Sequence, residues 1–344
     1  ILNYVRHKWN RRIRNRTYGG VRGRGLVTSS YSILTELNIT RCHMHIVISG
    51  GSGFLGKRLQ MYLINNGHQV TILTRSLDGH QKLEGVKMVE WMNKGNHPEA
   101  ELKGVDAIIH LASESISGSR WTKAKKERIL SSRLNTTKEI YRIIANLEKK
   151  PQVLINASAV GYYGMSETET YTEYSRSDAN DFLASVVKEW EREAGKVKEL
   201  NVRTVFTRFG VILGDGGALP LMVLPYKLGV GGTMGNGKQW ISWVHVDDAV
   251  QMIAYAITHP NINGPMNITA PNPVRMKEFG QTISKVLSRP HWLPVPSVAM
   301  KLGLGEMSDM ILKGQRVLPE LARKHGYTFQ YSNLNDALEN ILGK

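Results

Sequence analysis

The chain has 344 residues, 41% hydrophobic and 22% charged, which is the composition of a globular protein able to bury a large core. No apolar run approaches the ~20 residues of a membrane span, so neither an integral membrane protein nor a membrane partner is expected. The single Cys42 argues against a disulfide framework and a multi-cysteine zinc site, and fits a reducing, cytoplasmic setting. The net charge of +16 is uneven: residues 1–43 carry nine Lys/Arg against Glu36 alone, half of the total. The remaining 301 residues hold 36 bases and 28 acids, so no nucleic-acid partner is expected of them. The basic segment shows little hydrophobic periodicity and is expected to be mostly disordered. The plainest reading is an extension upstream of Met44; a transit peptide and a nucleic-acid-binding arm stay open.

From Met44 onward strands and helices alternate. "HIVISG" (45–50) predicts a buried strand, and 54–66 a helix with Leu55, Leu59 and Leu63 on one face, closed by Gly67. "QVTILTR" (69–75) and "DAIIHLA" (106–112) predict strands, and 121–148 a long helix with Ile129, Ile140 and Ile144 along its stripe. "QVLINASA" (152–159), a helix over 180–200 and "VRTVFTRFG" (202–210) follow. This alternation predicts an α/β fold, a doubly wound parallel sheet of the Rossmann type. After Gly210 glycine and then proline become dense, which predicts a smaller substrate-side lobe over 211–344, interleaved with the core at 44–210.

"SGGSGFLG" (49–56) sets Gly50, Gly53 and Gly56 at the turn between the first strand and the first helix. Gly50 permits the tight turn, Gly53 lets backbone approach a pyrophosphate, and Gly56 allows close helix–strand packing. The phosphates would sit on the N-terminus of the helix, against Ser52, Phe54 and Leu55, where free N–H groups and the dipole favour anions. NAD sites carry a carboxylate near the end of the second strand; this chain has Thr74 and Arg75, 19 residues past Gly56. A guanidinium suits the 2′-phosphate of NADP, which is the favoured cofactor. NAD stays open through Asp78.

With these motifs in hand, residues 44–343 resemble the extended short-chain dehydrogenase/reductase superfamily, and within it the atypical epimerase-like group that ends in a domain of unknown function. The segments that carry the resemblance are "SGGSGFLG", "RWTKAKKERILSSR" (120–133), "NASAVGYYG" (156–164), "DFLASVVKEWE" (181–191), the run from Arg208 to Asp248, and "APNPV…GEM…GQRVLP" (270–319). The resemblance implies a Rossmann fold with an NADP(H) site. It implies further cofactor contacts from Leu111 and Ala112 after the fourth strand. Arg133 falls roughly where ordinary members place an Asn, either reaching a cofactor phosphate or forming a helix-surface ion pair.

Ordinary members of that superfamily use a Ser or Thr at the end of the fifth strand and a Tyr-x-x-x-Lys on the next helix. Ser158 fits the first role. In "DFLASVVKEW" Phe182 and Val186 stand where Tyr and Lys are needed, and neither titrates. Lys188 has Ala184 four residues before it, and the chain's Tyr-x-x-x-Lys, Tyr4 to Lys8, lies in the basic segment. Tyr162 or Tyr163 on the loop after Ser158 is the candidate substitute acid. Sugar-nucleotide epimerases carry an Arg-Asp pair where "WISWVHVDD" has Ile241 and Ser242, with Lys238 nearby. Trp240, Trp243 and His245 either line an apolar pocket or pack between lobes. Asp247 is expected to cap the following helix, and no metal site is expected at His245. The expectation is an NADP(H)-binding oxidoreductase or epimerase-like enzyme for a small carbonyl or alcohol, with a homodimer as a candidate assembly. A non-catalytic, redox-sensing protein is the alternative, and a nucleotide-sugar epimerase is the third.

Overall fold

The computed structural model describes residues 43–78, 84–117 and 120–343. The basic segment before residue 43, with Tyr4 and Lys8, lies outside them.

The apolar run after Met44 forms β1 (His45–Ser49), buried at every position, and leads through the glycine turn into α1 (Phe54–Asn65). Leu59 and Leu63 of α1 are fully buried, each worth about 2 kcal/mol relative to exposure. β2 (Gln69–Thr74), β3 (Val86–Glu90) and β4 (Ala107–His110) follow. α2 (Lys123–Asn146) opens at Thr122, whose hydroxyl accepts from Lys125 N. β5 (Val153–Ala159) ends in a 3-10 turn at Val160–Tyr163, and β6 (Thr170–Tyr171) lies beyond it. α3 (Phe182–Gly195) is capped by Asp181, which accepts from Leu183 N and Ala184 N, and its last turns tighten to 3-10 at Lys196–Leu200.

β7 (Arg203–Phe209) and β8 (Val211–Leu213) precede α4 (Leu219–Lys227), β9 (Trp240–Ile241) and β10 (Trp243–His245). α5 (Val246–Thr258), β11 (Gly264–Ile268), β12 (Val274–Arg275) and α6 (Met276–Leu287) come next. α7 (Ser297–Leu304) and β13 (Arg316–Val317) belong to the last segment.

Among the described residues, seven strands form one wholly parallel sheet in the order β11-β7-β5-β4-β1-β2-β3. Side chains alternate across it, so Ile46 and Ile48 enter one core with Leu59, Ile72 and Ile253, while Val47 enters the other with Ile108, Leu154 and Ile143. Two strands lie beyond those read from apolar runs. β3 is an edge strand with alternating exposure, and β11 joins the opposite edge by pairing with β7. A third apolar cluster gathers Leu219, Trp243, Phe279 and Leu338 from the C-terminal part. The chain turns in opposite directions from β1, to β2 on one side and to β4 on the other. In a doubly wound sheet the ligand crevice opens at the carboxyl ends of such a pair.

Candidate active site

At that switch point the glycine turn touches the end of β4. Gly50 has φ +78°, and a Cβ there would lie 2.8 Å from Ala112 N and from Leu111 C. Leu111 N donates to Ser49 O at 3.0 Å, so Leu111 and Ala112 border the turn directly. A Cβ on Gly56 would meet Gly50 O at 2.4 Å, whereas one on exposed Gly53 would meet only Gly50 O, at 3.3 Å. The turn is therefore tight on its inner side and open at Gly53. Among the described residues no side chain caps α1, and no acid sits in its first turn. A dinucleotide fits this cradle, with its pyrophosphate against exposed Ser52 and Gly53 and the start of α1. Phe54 points away into a socket made by Gly214 and Gly216, where a Cβ would sit 2.4 and 2.6 Å from its ring, and Leu55 packs on the sheet core.

β2 stops at Thr74, whose hydroxyl donates to Ser76 O at 2.7 Å and folds the next residues into a turn. Arg75 is exposed and in no ion pair among the described residues, and its carbonyl accepts from Asn93. Asp78 lies beyond the turn, also exposed.

Behind the crevice a polar group is enclosed by aromatic rings. His110 is fully buried, with Trp91 and Trp190 edge-on at 6.3 and 6.4 Å. The Thr137 hydroxyl donates to Arg133 O and accepts from Trp190 Nε1, so it accepts from His110 Nε2–H as well. His110 Nδ1 then accepts from the Ser49 hydroxyl, 2.6 Å away. Burial pushes this imidazole down to about 3, and it is neutral. Arg133 is not a helix-surface residue: it is buried, stacks 5.0 Å over Trp190, and donates to Glu114 O and Ile129 O. Burial lowers its guanidinium to about 10, still charged at neutral pH.

Ser158, at the end of β5, is 3% exposed, and its hydroxyl donates to Glu191 Oε1 at 2.6 Å. Arg208, its register partner on β7, clamps both Glu191 oxygens at 2.8 Å and donates to the Tyr163 hydroxyl at 2.9 Å. Tyr163 in turn donates to Asn267 Oδ1 at 2.8 Å and stacks on Tyr171. Burial raises the Tyr163 phenol to about 12 although Arg208 pulls it down. Its hydroxyl is fully engaged in holding the loop. Glu191, Arg208 and Asn267 are not among the residues that the sequence singles out. A charged residue inside a buried strand such as "VRTVFTRFG" is the available signal, because it demands a buried partner.

Tyr162 is the half-buried neighbour, and its hydroxyl makes no hydrogen bond among the described residues. The Arg208 guanidinium lies 3.5 Å from its ring centroid and Lys188 Nζ 5.8 Å. Lys188 is held there by Ser177 O and Ala179 O, at 2.8 and 2.6 Å. A tyrosine and a lysine thus meet from separate elements, while Phe182 faces Trp121 at 5.3 Å and Val186 is buried.

Residues 46–269 match the NAD dependent epimerase/dehydratase family, and residues 295–341 match a domain of unknown function, DUF1731. The chain belongs to the NAD dependent epimerase/dehydratase family. Over 299 residues it is 50% identical to epimerase family protein YfhF of Bacillus subtilis, covering 87% of this chain and 98% of that one. The crystal structure of human epimerase family protein SDR39U1 with NADPH aligns at TM-score 0.76 and 31% identity, over 87% of this chain and 99% of that one. A nucleoside-diphosphate sugar epimerase of Corynebacterium glutamicum aligns at TM-score 0.71 and 30% identity, over 88% of this chain and 59% of the other. The Rossmann fold and the atypical, DUF1731-bearing membership follow from these matches.

Against that family background the C-terminal side of the site departs in named places. Ile241 is buried in the C-terminal core, and the Ser242 hydroxyl donates to Gln315 O. Cations near them come from Arg275 and Arg316, 3.7 and 5.0 Å from the Trp240 ring, while Lys238 is exposed. Trp243 is fully buried with its N–H on Asn272 O, a packing role. The cap of α5 is not Asp247 but His245, whose Nδ1 accepts from Asp247 N while its ring stacks on Tyr331. An imidazole at that position reaches the same orphan N–H that a carboxylate would.

Proposed function

We infer that the protein is an NADP(H)-dependent oxidoreductase or epimerase-like enzyme acting on a small carbonyl or alcohol. The observation that carries this reading is Tyr162, whose hydroxyl makes no hydrogen bond among the described residues and whose ring is flanked by Arg208 and Lys188 just past the carboxyl end of β5. When bound, the dinucleotide supplies or accepts hydride. The Tyr162 hydroxyl passes the matching proton at the substrate oxygen. Ser158 has committed its proton to Glu191, so its Oγ serves as an acceptor for a substrate hydroxyl. Tyr163 fixes the loop through Asn267 and Arg208.

Three observations support NADP(H) over NAD(H). Arg75 stands unpaired among the described residues at the end of β2, Asp78 lies past the turn that follows that strand, and a 31% identical human relative is solved with NADPH. The buried Ile241 weighs against a nucleotide-sugar substrate.

A second reading is a non-catalytic NADP(H)-binding or redox-sensing protein. It is favoured by Phe182 and Val186, which leave α3 without a titrating pair on the face where the superfamily needs one. Turnover of NADPH or NADP⁺ by the full chain against a panel of small carbonyls and alcohols separates the two. Catalysis predicts measurable turnover that falls at least about a hundredfold in Tyr162→Phe with cofactor affinity unchanged. Intact turnover in Tyr162→Phe removes the assigned acid. Cofactor binding without turnover across the panel leaves the sensor reading.

A further inference from the structure

We propose that the face formed by α4 and residues 289–293 docks on an anionic membrane surface. This assignment rests on surface chemistry alone and is independent of the catalytic reading. α4 buries Leu219, Val223 and Tyr226, yet Leu221 and Leu228 on its other side are 69% and 68% exposed. Residues 289–293 run beside the end of that helix. Trp292 N and Leu293 N donate to Gly231 O at 2.9 and 3.1 Å, and the Trp292 indole N–H donates to Gly229 O at 3.0 Å. Trp292 and Leu293 are nevertheless 63% and 41% exposed. Single exposed apolar residues are ordinary, but a cluster on adjoining segments marks an interaction site.

Charge identifies the occupant. Residues 218–244 and 286–305 contain no Asp or Glu. Lys227 and Arg289 are exposed among them and enter no ion pair among the described residues. A second copy paired two-fold through this face would bring two cationic patches together, with no carboxylate from these segments to pair them. An anionic lipid surface takes up both the leucines and the cations, and an indole suits the interfacial level. No helix among the described residues is long and apolar enough to cross a membrane, so the attachment is peripheral. Composition alone suggests no membrane partner; the grouping of these side chains on one face is the reason to expect one.

The test is co-sedimentation of the full chain with vesicles of phosphatidylglycerol and phosphatidylcholine in equal parts, and of phosphatidylcholine alone. Binding to the first and not the second is expected. Leu221→Glu/Leu228→Glu and Lys227→Glu/Arg289→Glu should each weaken it by about tenfold or more. Amide exchange at 219–230 and 289–293 should slow only when anionic vesicles are present. Failure to bind either vesicle overturns the proposal, as does undiminished binding of both variants, or protection confined to residues before 43. A lipid-free dimer that Leu221→Glu/Leu228→Glu dissolves would assign the face to a second copy instead.

Discussion

Ser158 on β5 donates its hydroxyl proton to Glu191 on α3, 2.6 Å away, and Arg208 on the neighbouring strand β7 holds the same carboxylate. Both charges are almost wholly enclosed, with side-chain exposures of 4% for Arg208 and 10% for Glu191. Breaking such a pair from one side leaves an uncompensated buried charge. Glu191→Gln should therefore cost about 3–5 kcal/mol, read as a shift in the urea midpoint at constant slope. Adding Arg208→Met in the same chain should recover part of the loss, because the orphaned cation is then gone. A double variant less stable than the sum of the singles would show that the pair is not what stabilises this end of the sheet.

The glycine turn makes a sharper contrast. At Gly56 a methyl group would lie 2.4 Å from the Gly50 carbonyl oxygen, a backbone atom that cannot give way. Gly56→Ala should cost more than about 3 kcal/mol or fail to fold. Gly53 has φ −72°, compatible with alanine, and the nearest contact would be 3.3 Å. Gly53→Ala should hold stability within about 1 kcal/mol of the parent while losing most of the rise in Tm that NADPH produces. Thermal melts with and without NADPH check both, and an undiminished NADPH shift in Gly53→Ala would remove the pyrophosphate from this turn.

The parts of this fold carried by local periodicity are legible in the sequence: the apolar runs of β1, β2, β4, β5 and β7, the α1 and α2 stripes, and the glycine turn between β1 and α1. β11 is hidden because "GPMNI" opens on Gly-Pro and becomes a sheet edge only by pairing with β7, some sixty residues earlier. β3 is hidden because "VKMVE" alternates weakly at an edge. The Ser158–Glu191–Arg208–Tyr163 chain joins a strand end, a helix, a second strand and a loop, and no spacing in the sequence records that meeting. The same holds for Lys188 and Tyr162, which converge only because α3 folds back beside the loop after β5. That Phe182 and Val186 cannot titrate is visible in the sequence, and the approach of Arg208 and Lys188 to the Tyr162 ring is not.

Acid sensitivity follows from His110. Its folded value is about 3 against an ordinary 6.5, with Ser49, Thr136, Thr137, Trp91 and Trp190 around it and no carboxylate among those contacts. The unfolded chain takes up this proton first. The stability His110 contributes is thus complete above pH 6.5 and falls as pH drops toward 3, by up to about 1.4 kcal/mol per pH unit. His245 and His291, lowered mainly by burial, slope the same way. Urea unfolding between about pH 7 and about pH 5, a window that brackets the ordinary histidine value, should show the decline, and His110→Gln should flatten part of it. An unchanged slope in His110→Gln would mean that the ring is not buried neutral.

On the proposed reading, cofactor choice turns on Arg75. Its guanidinium is exposed at the end of β2, while Asp78 sits beyond the Thr74–Ser76 turn. If it grips a 2′-phosphate, Arg75→Ala removes a charge-assisted pair worth about 1.5–3 kcal/mol, so the Kd for NADPH should rise by about tenfold to a hundredfold. NADH lacks that phosphate and should bind the variant and the parent alike. If the ribose faces Arg75, as proposed, Asp78→Ala should leave both affinities in place. Calorimetric titration of each variant and the parent with both cofactors decides the matter. Equal loss for NADPH and NADH in Arg75→Ala would make the residue a general support of the turn, and a selective loss of NADH in Asp78→Ala would transfer the ribose contact to that carboxylate.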